Sequence, residues 1–213
     1  MQKLAVFDLD STLLNDESIN TVLGHIVSDK VKLEKLESIR AKSMRGELAL
    51  KCSLQQRISL FNGMSLIQLQ HICQNIPWTK GAKETIQQLK KRGYLTLCLS
   101  GGFRTITRRT ITELGMDAYC CNTLEHHHGK LTGKINGQLM QHQSKGNLLK
   151  KIQETLNIKP KNTLVVGDGA NDLSMFEFSS TRVAFCAQDT LKEQATHIIK
   201  RKDLREVLNI LNF

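Results

Sequence analysis

The feature that most constrains this fold lies almost at the start of the chain, where the apolar residues 4–7 run directly into Asp8 and Asp10. An unbroken apolar run of this length indicates a short strand buried on both faces, as in a parallel sheet. Ligands of open α/β sheets bind beyond the carboxyl ends of the strands, so both aspartates lie where chemistry is expected. Two carboxylates this close repel each other unless a cation or a shared proton relieves them. A solvated loop that happens to contain two aspartates is the alternative.

The segment that follows has the pattern of helices. Between residues 18 and 76, apolar side chains recur at three-to-four spacing, which predicts helices at 18–27, 31–44, 48–61 and 66–76. Four short helices with no strand predicted between them can pack their apolar faces as a small bundle. We therefore predict a helical cap domain, residues 16–76, inserted into an α/β core domain, residues 1–15 and 77–213.

From residue 77 onward, strand and helix patterns alternate, which predicts the remainder of the α/β core. Two glycine turns, at Gly129 and at Gly137, suit a β-hairpin at about 122–140. The other predicted strands are 95–99, 118–123, 163–166, 182–186 and 197–199, and the predicted helices include 81–92, 104–114, 144–156 and 204–211.

Two more of the predicted strands end in residues that suit a phosphate site. Strand 95–99 runs into Ser-Gly-Gly-Phe at 100–103, a small-residue turn before a helix, where free N–H groups and the helix dipole face an anion. Strand 163–166 runs into Gly-Asp-Gly-Ala-Asn-Asp at 167–172, and Lys145 lies in the first turn of an intervening helix. Carboxylate oxygens favour Mg²⁺, which usually takes one or two protein carboxylates beside a phosphate oxygen. The three strand ends together predict a phosphoryl-transfer site.

The formal charge of +10 is compatible with two classes of partner. A basic balance suits nucleic acid, and it equally suits an enzyme that acts on anionic substrates. Only two Tyr and one Trp are available for stacking on bases. We therefore expect a small anionic substrate and no nucleic-acid partner.

The cysteines and the amino terminus bear on the compartment. The six cysteines form no Cys-x-x-Cys pair, and several lie in apolar surroundings, which indicates free thiols in a reducing compartment. The amino terminus runs directly into a strand without the sections of a signal peptide, and no apolar run approaches the ~18 residues of a membrane span. We therefore expect a cytoplasmic protein with no membrane partner, either a monomer or a homodimer.

On these motifs the chain resembles the haloacid dehalogenase superfamily, in the branch that hydrolyses phosphoserine. The resemblance covers nearly the whole chain and is carried by Phe-Asp-Leu-Asp-Ser-Thr at 7–12 together with the motifs at 100–103 and 167–172. It implies a doubly wound, mostly parallel sheet core with a four-helix cap inserted after the first strand. It also implies Mg²⁺-dependent hydrolysis of O-phosphoserine to serine and phosphate through a phosphoaspartate intermediate, the last step of serine biosynthesis.

The resemblance implies roles for three carboxylates. Asp8 would be the nucleophile that forms an acyl phosphate, which splits the hydrolysis into two steps. Asp10 would protonate the departing alkoxide and then take a proton from the attacking water. Mg²⁺ would bind the Asp8 carboxylate, the Asp10 backbone carbonyl and Asp168, which offsets the charge between nucleophile and phosphate.

Other core residues are expected around the phosphate. By the resemblance, Ser100, the Gly101 N–H and Lys145 would hold phosphate oxygens, mainly by position and charge. Asn171 is expected to bind substrate as well. Asp172 would support Lys145 or a metal-bound water instead of binding the metal directly.

The cap would select the substrate. Glu17 matches the family residue that meets the substrate ammonium, and Arg57 matches the one that pairs with the carboxylate, whose two oxygens suit a guanidinium fork. Met44 matches an apolar position that shields the site. Leu50 departs from the family pattern, which commonly has Phe there, so the closed site would be wetter or would admit a larger substrate.

Three other functions are compatible with the sequence. A phosphatase or phosphotransferase acting on another small phosphomonoester, such as phosphohomoserine or histidinol phosphate, is favoured by Leu50 and disfavoured by the pair Glu17 and Arg57. A catalytically silent protein that binds phosphorylated metabolites is disfavoured because it would need neither a nucleophile nor an acid. A basic nucleic-acid-binding module is the third, and its binding would weaken steeply with salt.

Overall fold

A seven-stranded sheet forms the centre of the protein, whose computed structural model describes residues 2–44 and 47–211. Its strands are β1 (Lys3–Phe7), β2 (Tyr94–Phe103), β3 (Ala118–His127), β4 (Lys130–Asn136), β5 (Thr163–Gly167), β6 (Thr181–Phe185) and β7 (His197–Ile199). They lie in the order β4-β3-β2-β1-β5-β6-β7, and neighbours pair in parallel except β3 with β4. The apolar run at the start of the chain is therefore the central strand, and it is buried from its second residue onward.

Helices fill the long connection between β1 and β2 and flank the rest of the sheet. The helical cap consists of α1 (Ser18–Ile26), α2 (Lys30–Met44), α3 (Leu50–Ile58) and α4 (Leu66–Gln74). The remaining helices are α5 (Ala82–Lys91), α6 (Arg104–Thr107), α7 (Arg109–Thr112), α8 (Ser144–Leu156), α9 (Leu173–Phe176), α10 (Asp189–Lys192) and α11 (Glu206–Ile210). Within the described ranges, none of these helices is both long and apolar enough to span a bilayer.

The core lies on both faces of the sheet, because successive residues of a strand point in opposite directions. Ala5 and Phe7 belong to a large apolar cluster that extends into the cap and against α5. Leu4 and Val6 belong to a second cluster, beneath α8 and α9. Helices therefore cover both faces, and the predicted doubly wound, mostly parallel α/β fold with helices inserted after the first strand is confirmed.

Several predicted boundaries differ from the structure, and two of the differences involve the Ser-Gly-Gly-Phe segment and the helix after it. The second strand continues through residues 100–103 instead of ending before Ser100, with a shift of register against β3 between Leu99 and Phe103. The helix predicted over 104–114 is divided into α6 and α7. At that division the hydroxyls of Thr107 and Thr110 donate to backbone carbonyls three or four residues back, a bonding that bends helices.

Candidate active site

The carboxyl ends of β1 and β5 lie side by side because these strands are parallel neighbours. Asp8 follows β1 directly, and its N–H donates to the Val166 carbonyl of β5 at 3.0 Å. Lys145, in the first turn of α8, places its Nζ 2.5 Å from Asp8 Oδ1 and 2.7 Å from Asp172 Oδ1. The lysine and both carboxylates are buried. One ammonium group therefore connects segments that lie far apart in the sequence.

Asp8, Asp168 and Asp172 form an acidic cluster beside Lys145. One carboxylate oxygen from each lies within 4.8 Å of the other two, and such an all-oxygen donor set fits a hard divalent cation. Asp172 Oδ2 also accepts the backbone N–H groups of Asp168 and Gly169, at 3.1 and 3.3 Å. Since Lys145 holds its other oxygen, Asp172 is tied to the loop and to the ammonium, which suits the supporting role expected of it.

Burial and like charge dominate the electrostatics of the acidic cluster. Burial, reinforced by Asp172 and opposed by Lys145, raises the pKa of Asp8 to about 8. Burial together with the charges of Asp8 and Asp172 holds the pKa of Asp168 well above its usual range. Burial alone would lower the pKa of Lys145, but the two carboxylates that it contacts raise it. A cation bound at the cluster would relieve this repulsion.

Asp10 lies in the turn that leads from the core into the cap. Within this turn, Leu9–Leu13, Ser11 adopts the left-handed conformation with φ 57°. Asp10 Oδ1 accepts the N–H of Ser18, the first residue of α1, at 2.7 Å, where the helix dipole favours a negative charge. Its Oδ2 faces Gly102, where a Cβ would lie only 3.3 Å away. Asp10 is therefore held between the cap and β2.

Ser100 and Gly101 lie in the irregular end of β2. Ser100 Oγ accepts the N–H of Gly102 at 2.9 Å, which leaves its hydroxyl hydrogen for another acceptor. Asn122 Nδ2 donates to the Gly101 carbonyl at 2.9 Å and to the Leu139 carbonyl at 3.0 Å. Asn122 Oδ1 accepts the Leu139 N–H at 3.0 Å. Asn122 is fully buried and holds together two segments that line the site. Nothing in its strand-like sequence context indicated this role.

On the cap side, Glu17 lies between two guanidinium groups. Arg40 Nη1 is 3.1 Å from Glu17 Oε1, and Arg57 Nη2 is 3.6 Å from Glu17 Oε2. Two more side chains link these arginines. Arg57 donates to Asn20 Oδ1 at 2.7 Å, and Asn20 Nδ2 donates to Glu37. Glu37 Oε1 in turn accepts from Arg40 Nε at 2.9 Å. We term these five side chains the polar ring. It connects the segment before α1 with α1, α2 and α3.

One pocket between the cap and the sheet is lined both by residues of the acidic cluster and by residues of the polar ring. Of the residues predicted from the sequence, it is lined by Asp8, Asp10, Glu17, Leu50, Arg57, Gly101, Lys145, Asp168 and Asn171. Ser100 and Asp172 contact this pocket's wall through the bonds described above. Met44 ends α2, and its side chain lies outside what the structure describes.

Sequence reasoning missed several residues of this pocket. Arg40 faces it from α2, and Leu139 and Gln141 line it from the loop before α8. In the sequence, Arg40 has the appearance of an ordinary solvated charge on a helix, and the loop residues belong to no motif. Only their proximity in the folded chain identifies them.

The class of protein follows from the combination of this sheet, this cap and this cluster of carboxylates. The sequence matches the haloacid dehalogenase-like hydrolase family over residues 5–177, from β1 to just beyond α9. The chain therefore belongs to the haloacid dehalogenase-like hydrolases.

Within that family the chain is similar to phosphoserine phosphatases. It is 45% identical to the phosphoserine phosphatase of Wolinella succinogenes over 206 residues, which are 97% of this chain and 98% of that protein. It is 38% identical to the phosphoserine phosphatase of Methanocaldococcus jannaschii over 210 residues, 99% of this chain and 98% of that protein.

Solved structures of phosphoserine phosphatases also match the fold over nearly the whole chain. A phospho-aspartyl intermediate analogue of phosphoserine phosphatase matches with a TM-score of 0.91 and 38% identity, over 98% of both chains. A substrate-bound phosphoserine phosphatase complex matches with a TM-score of 0.91 and 37% identity, over 99% of this chain and 98% of that chain.

Proposed function

We propose that this protein hydrolyses O-phosphoserine to serine and phosphate, the last step of serine biosynthesis. The observation that carries the proposal is the two-ended pocket, with Asp8, Asp10 and Lys145 at one end and Glu17 with Arg57 at the other. The first end suits a phosphoryl group, and the second offers one partner for an ammonium and one for a carboxylate. The names of the relatives and of the matching structures support the same substrate.

The chemistry assigned to the core uses two carboxylates in sequence. The Asp8 carboxylate attacks phosphorus, the ester P–O bond breaks, and Asp10 gives a proton to the departing serine oxygen. Water then attacks the acyl phosphate while Asp10 takes its proton, which releases phosphate and restores Asp8. Lys145, Ser100 and the Gly101 N–H stabilise the charge on the phosphoryl oxygens by position.

We assign Mg²⁺ as the cofactor. The Asp8 carboxylate, the Asp10 backbone carbonyl and Asp168 would hold it, with Asp172 retained by Lys145 and the loop amides. When bound, the ion supplies charge neutralisation between the anionic nucleophile and the anionic phosphate. Oxygen donors and close like charges are the features of the acidic cluster that support this assignment.

The substrate end of the pocket is assigned to the cap. Glu17 would accept the ammonium, and Arg57 would bind the carboxylate. Arg57 is buried, and its Nε has no hydrogen-bond partner within the described part of the chain. A buried N–H donor without a partner is costly, so a substrate carboxylate would satisfy it.

The test compares phosphoserine with phosphoethanolamine, which keeps the ammonium and lacks only the carboxylate. Wild type should strongly prefer phosphoserine, and Arg57→Ala should lose about 2 to 5 kcal/mol in kcat/KM for phosphoserine and far less for phosphoethanolamine. Lys51→Ala removes an exposed charge from the same helix and is the matched control. Equal slowing of both substrates by Arg57→Ala would assign that residue to folding or cap closure and remove the main support for phosphoserine.

A second substrate class is favoured by one observation, the presence of Leu50 in the pocket wall. A smaller side chain than Phe leaves room for a longer substrate such as phosphohomoserine or histidinol phosphate. Turnover across a panel of phosphorylated amino acids, amino alcohols and sugars ranks these candidates directly. Higher kcat/KM for either longer ester than for phosphoserine would replace the first assignment.

The cellular compartment and the oligomeric state are proposals that rest on the sequence. Burial of the Cys73 and Cys98 thiols suits a reducing compartment, and burial raises the pKa of both. We propose a cytoplasmic enzyme, acting as a monomer or a homodimer on a small phosphomonoester.

A further inference from the structure

We propose that this protein also hydrolyses phosphate esters of hydroxy acids, in which a hydroxyl replaces the ammonium of phosphoserine, and that Arg40 permits it. This inference rests on the proposed function, because it concerns the same pocket and the same displacement. The ester P–O bond breaks, water supplies the new bond to phosphorus, and the leaving oxygen takes a proton. The products are the free hydroxy acid and phosphate.

Glu17 has two cationic neighbours, Arg40 and Arg57. Arg40 Nη1 lies 3.1 Å from one oxygen of Glu17, and the Arg40 side chain is only 23% exposed. Arg57 approaches the other oxygen at 3.6 Å. Glu17 is therefore already paired by a residue other than the one assigned to the substrate carboxylate.

The other members of the polar ring hold the two arginines apart. Glu37 accepts from Arg40 Nε at 2.9 Å and also accepts from Asn20, which in turn accepts from Arg57 at 2.7 Å. Arg40 is thereby fixed on one side of Glu17 and Arg57 on the other. Arg40 can keep its contact with Glu17 while Arg57 binds a carboxylate.

The contact between Arg40 and Glu17 affects how the pocket binds substrates that carry no ammonium. In a pocket with Glu17 and Arg57 alone, such a substrate would leave the Glu17 carboxylate without a cation, close to the carboxylate of the substrate. An unpaired charge in a partly buried site is much more costly than a paired one. Arg40, which also bonds Glu37, keeps a positive charge 3.1 Å from Glu17, so Glu17 is not left without a cation and can accept a hydrogen bond from the hydroxyl. Discrimination between an amino acid and a hydroxy acid should therefore be weaker than in a pocket without Arg40.

The experiment compares phosphoserine with 3-phosphoglycerate, which has a hydroxyl in place of the ammonium. Wild type should hydrolyse both, with kcat/KM for 3-phosphoglycerate within about a hundredfold of that for phosphoserine. Arg40→Met keeps most of the stem and removes the charge, and it should raise the preference for phosphoserine by about tenfold or more. Arg40→Lys keeps the charge but lacks the planar guanidinium, and its preference for phosphoserine should fall between those of wild type and Arg40→Met.

The matched control is Lys35→Met, which removes an exposed charge from the same helix outside the pocket. Its preference should stay within about twofold of wild type, because a solvated charge is largely screened. If Arg40→Met behaves like this control, Arg40 does not select substrates and the inference is wrong. If wild type turns over phosphoserine but not 3-phosphoglycerate, the inference fails and the proposed function stands. If 3-phosphoglycerate is hydrolysed and phosphoserine is not, the proposed function is the part that fails.

Discussion

Asp8 and Asp10 are separated by a single residue, yet the structure holds them in different ways. Asp8 contacts the Lys145 ammonium, whereas Asp10 accepts the backbone N–H at the start of α1. The first arrangement keeps a carboxylate beside a buried ammonium, and the second fixes a carboxylate at the entrance to the cap. Two adjacent carboxylates in unlike environments can therefore carry out unlike steps.

The residue-scale prediction follows from that difference. Asp8→Asn should lose more than about a thousandfold in kcat, because no other group in the pocket is assigned as nucleophile. Asp10→Asn should lose about a hundred- to ten-thousandfold, the range for a missing general acid–base. Acid quench of the wild type with ³²P-labelled phosphoserine should leave label on the chain, and peptide mapping should place it at Asp8.

The two variants also provide each other's control. Asp10→Asn retains the nucleophile, so labelled protein should still form, although slowly, whereas Asp8→Asn should show none. Inversion of configuration at phosphorus, with unlabelled wild-type protein, would indicate direct attack by water and contradict the two-step chemistry.

At the scale of elements, the placement of Lys145 depends on how closely α8 approaches α9. Gly146 is the contact point, since a Cβ there would lie 2.2 Å from the Ser174 carbonyl oxygen and 2.6 Å from its carbon. Its N–H also donates to Ser174 Oγ at 3.1 Å. A backbone neighbour cannot move aside as a flexible side chain can, so any side chain at this position pushes α8 outward.

The element-scale prediction uses a matched pair of helical glycines. Gly146→Ala should cost about 2 kcal/mol or more of unfolding free energy through overpacking, and it should lower kcat because Lys145 moves with the helix. Gly24→Ala lies in α1 with nothing within 4 Å of the added Cβ, so it should gain about 0.5 to 1 kcal/mol from helix propensity. Urea unfolding of both variants measures the two values. A stabilised Gly146→Ala protein would contradict the close approach of α8 to α9.

At the scale of the whole molecule, the acidic cluster exists only in the folded chain, because its carboxylates follow different strands. A ligand that binds only the native state stabilises it by mass action. Mg²⁺ at about a hundred times its dissociation constant should therefore raise Tm by roughly 5 to 10 °C for a chain of this size. Thermal unfolding with Mg²⁺ and with a chelator measures the shift.

The control for this prediction separates binding from general salt effects. Asp168→Asn should largely lose the Mg²⁺-dependent shift, whereas Asp189→Asn, which removes a 92% exposed carboxylate, should keep it.

Turnover should vanish in chelator and return with Mg²⁺. Ca²⁺ should not replace it at the same rate, since its looser coordination misplaces the attacking oxygen. Equal Tm shifts in both variants would contradict a metal site at the acidic cluster.

The elements of this protein could be predicted from the sequence because their signals are local. Residues 4–7 are apolar in an unbroken run, and the cap segments repeat at helical spacing, so strand and helix are visible without knowledge of neighbours. The carboxyl ends of parallel strands meet at one edge of a sheet, so residues following different strands could be expected near one another. The division of the helix over 104–114 was missed, because side-chain bonds of Thr107 and Thr110 compete with the regular ladder.

Tertiary structure alone decided which side chains touch within that framework. Lys145 and Asp172 are 27 residues apart, and Asn122 and Leu139 are 17 apart, so their bonds depend on how α8 and β3 pack. Arg40 has the sequence context of a surface charge and reaches Glu17 only because the fold brings α2 beside the pocket. Periodicity reports the local backbone and the buried face of each element. Contacts between elements depend on packing distances that no local pattern encodes.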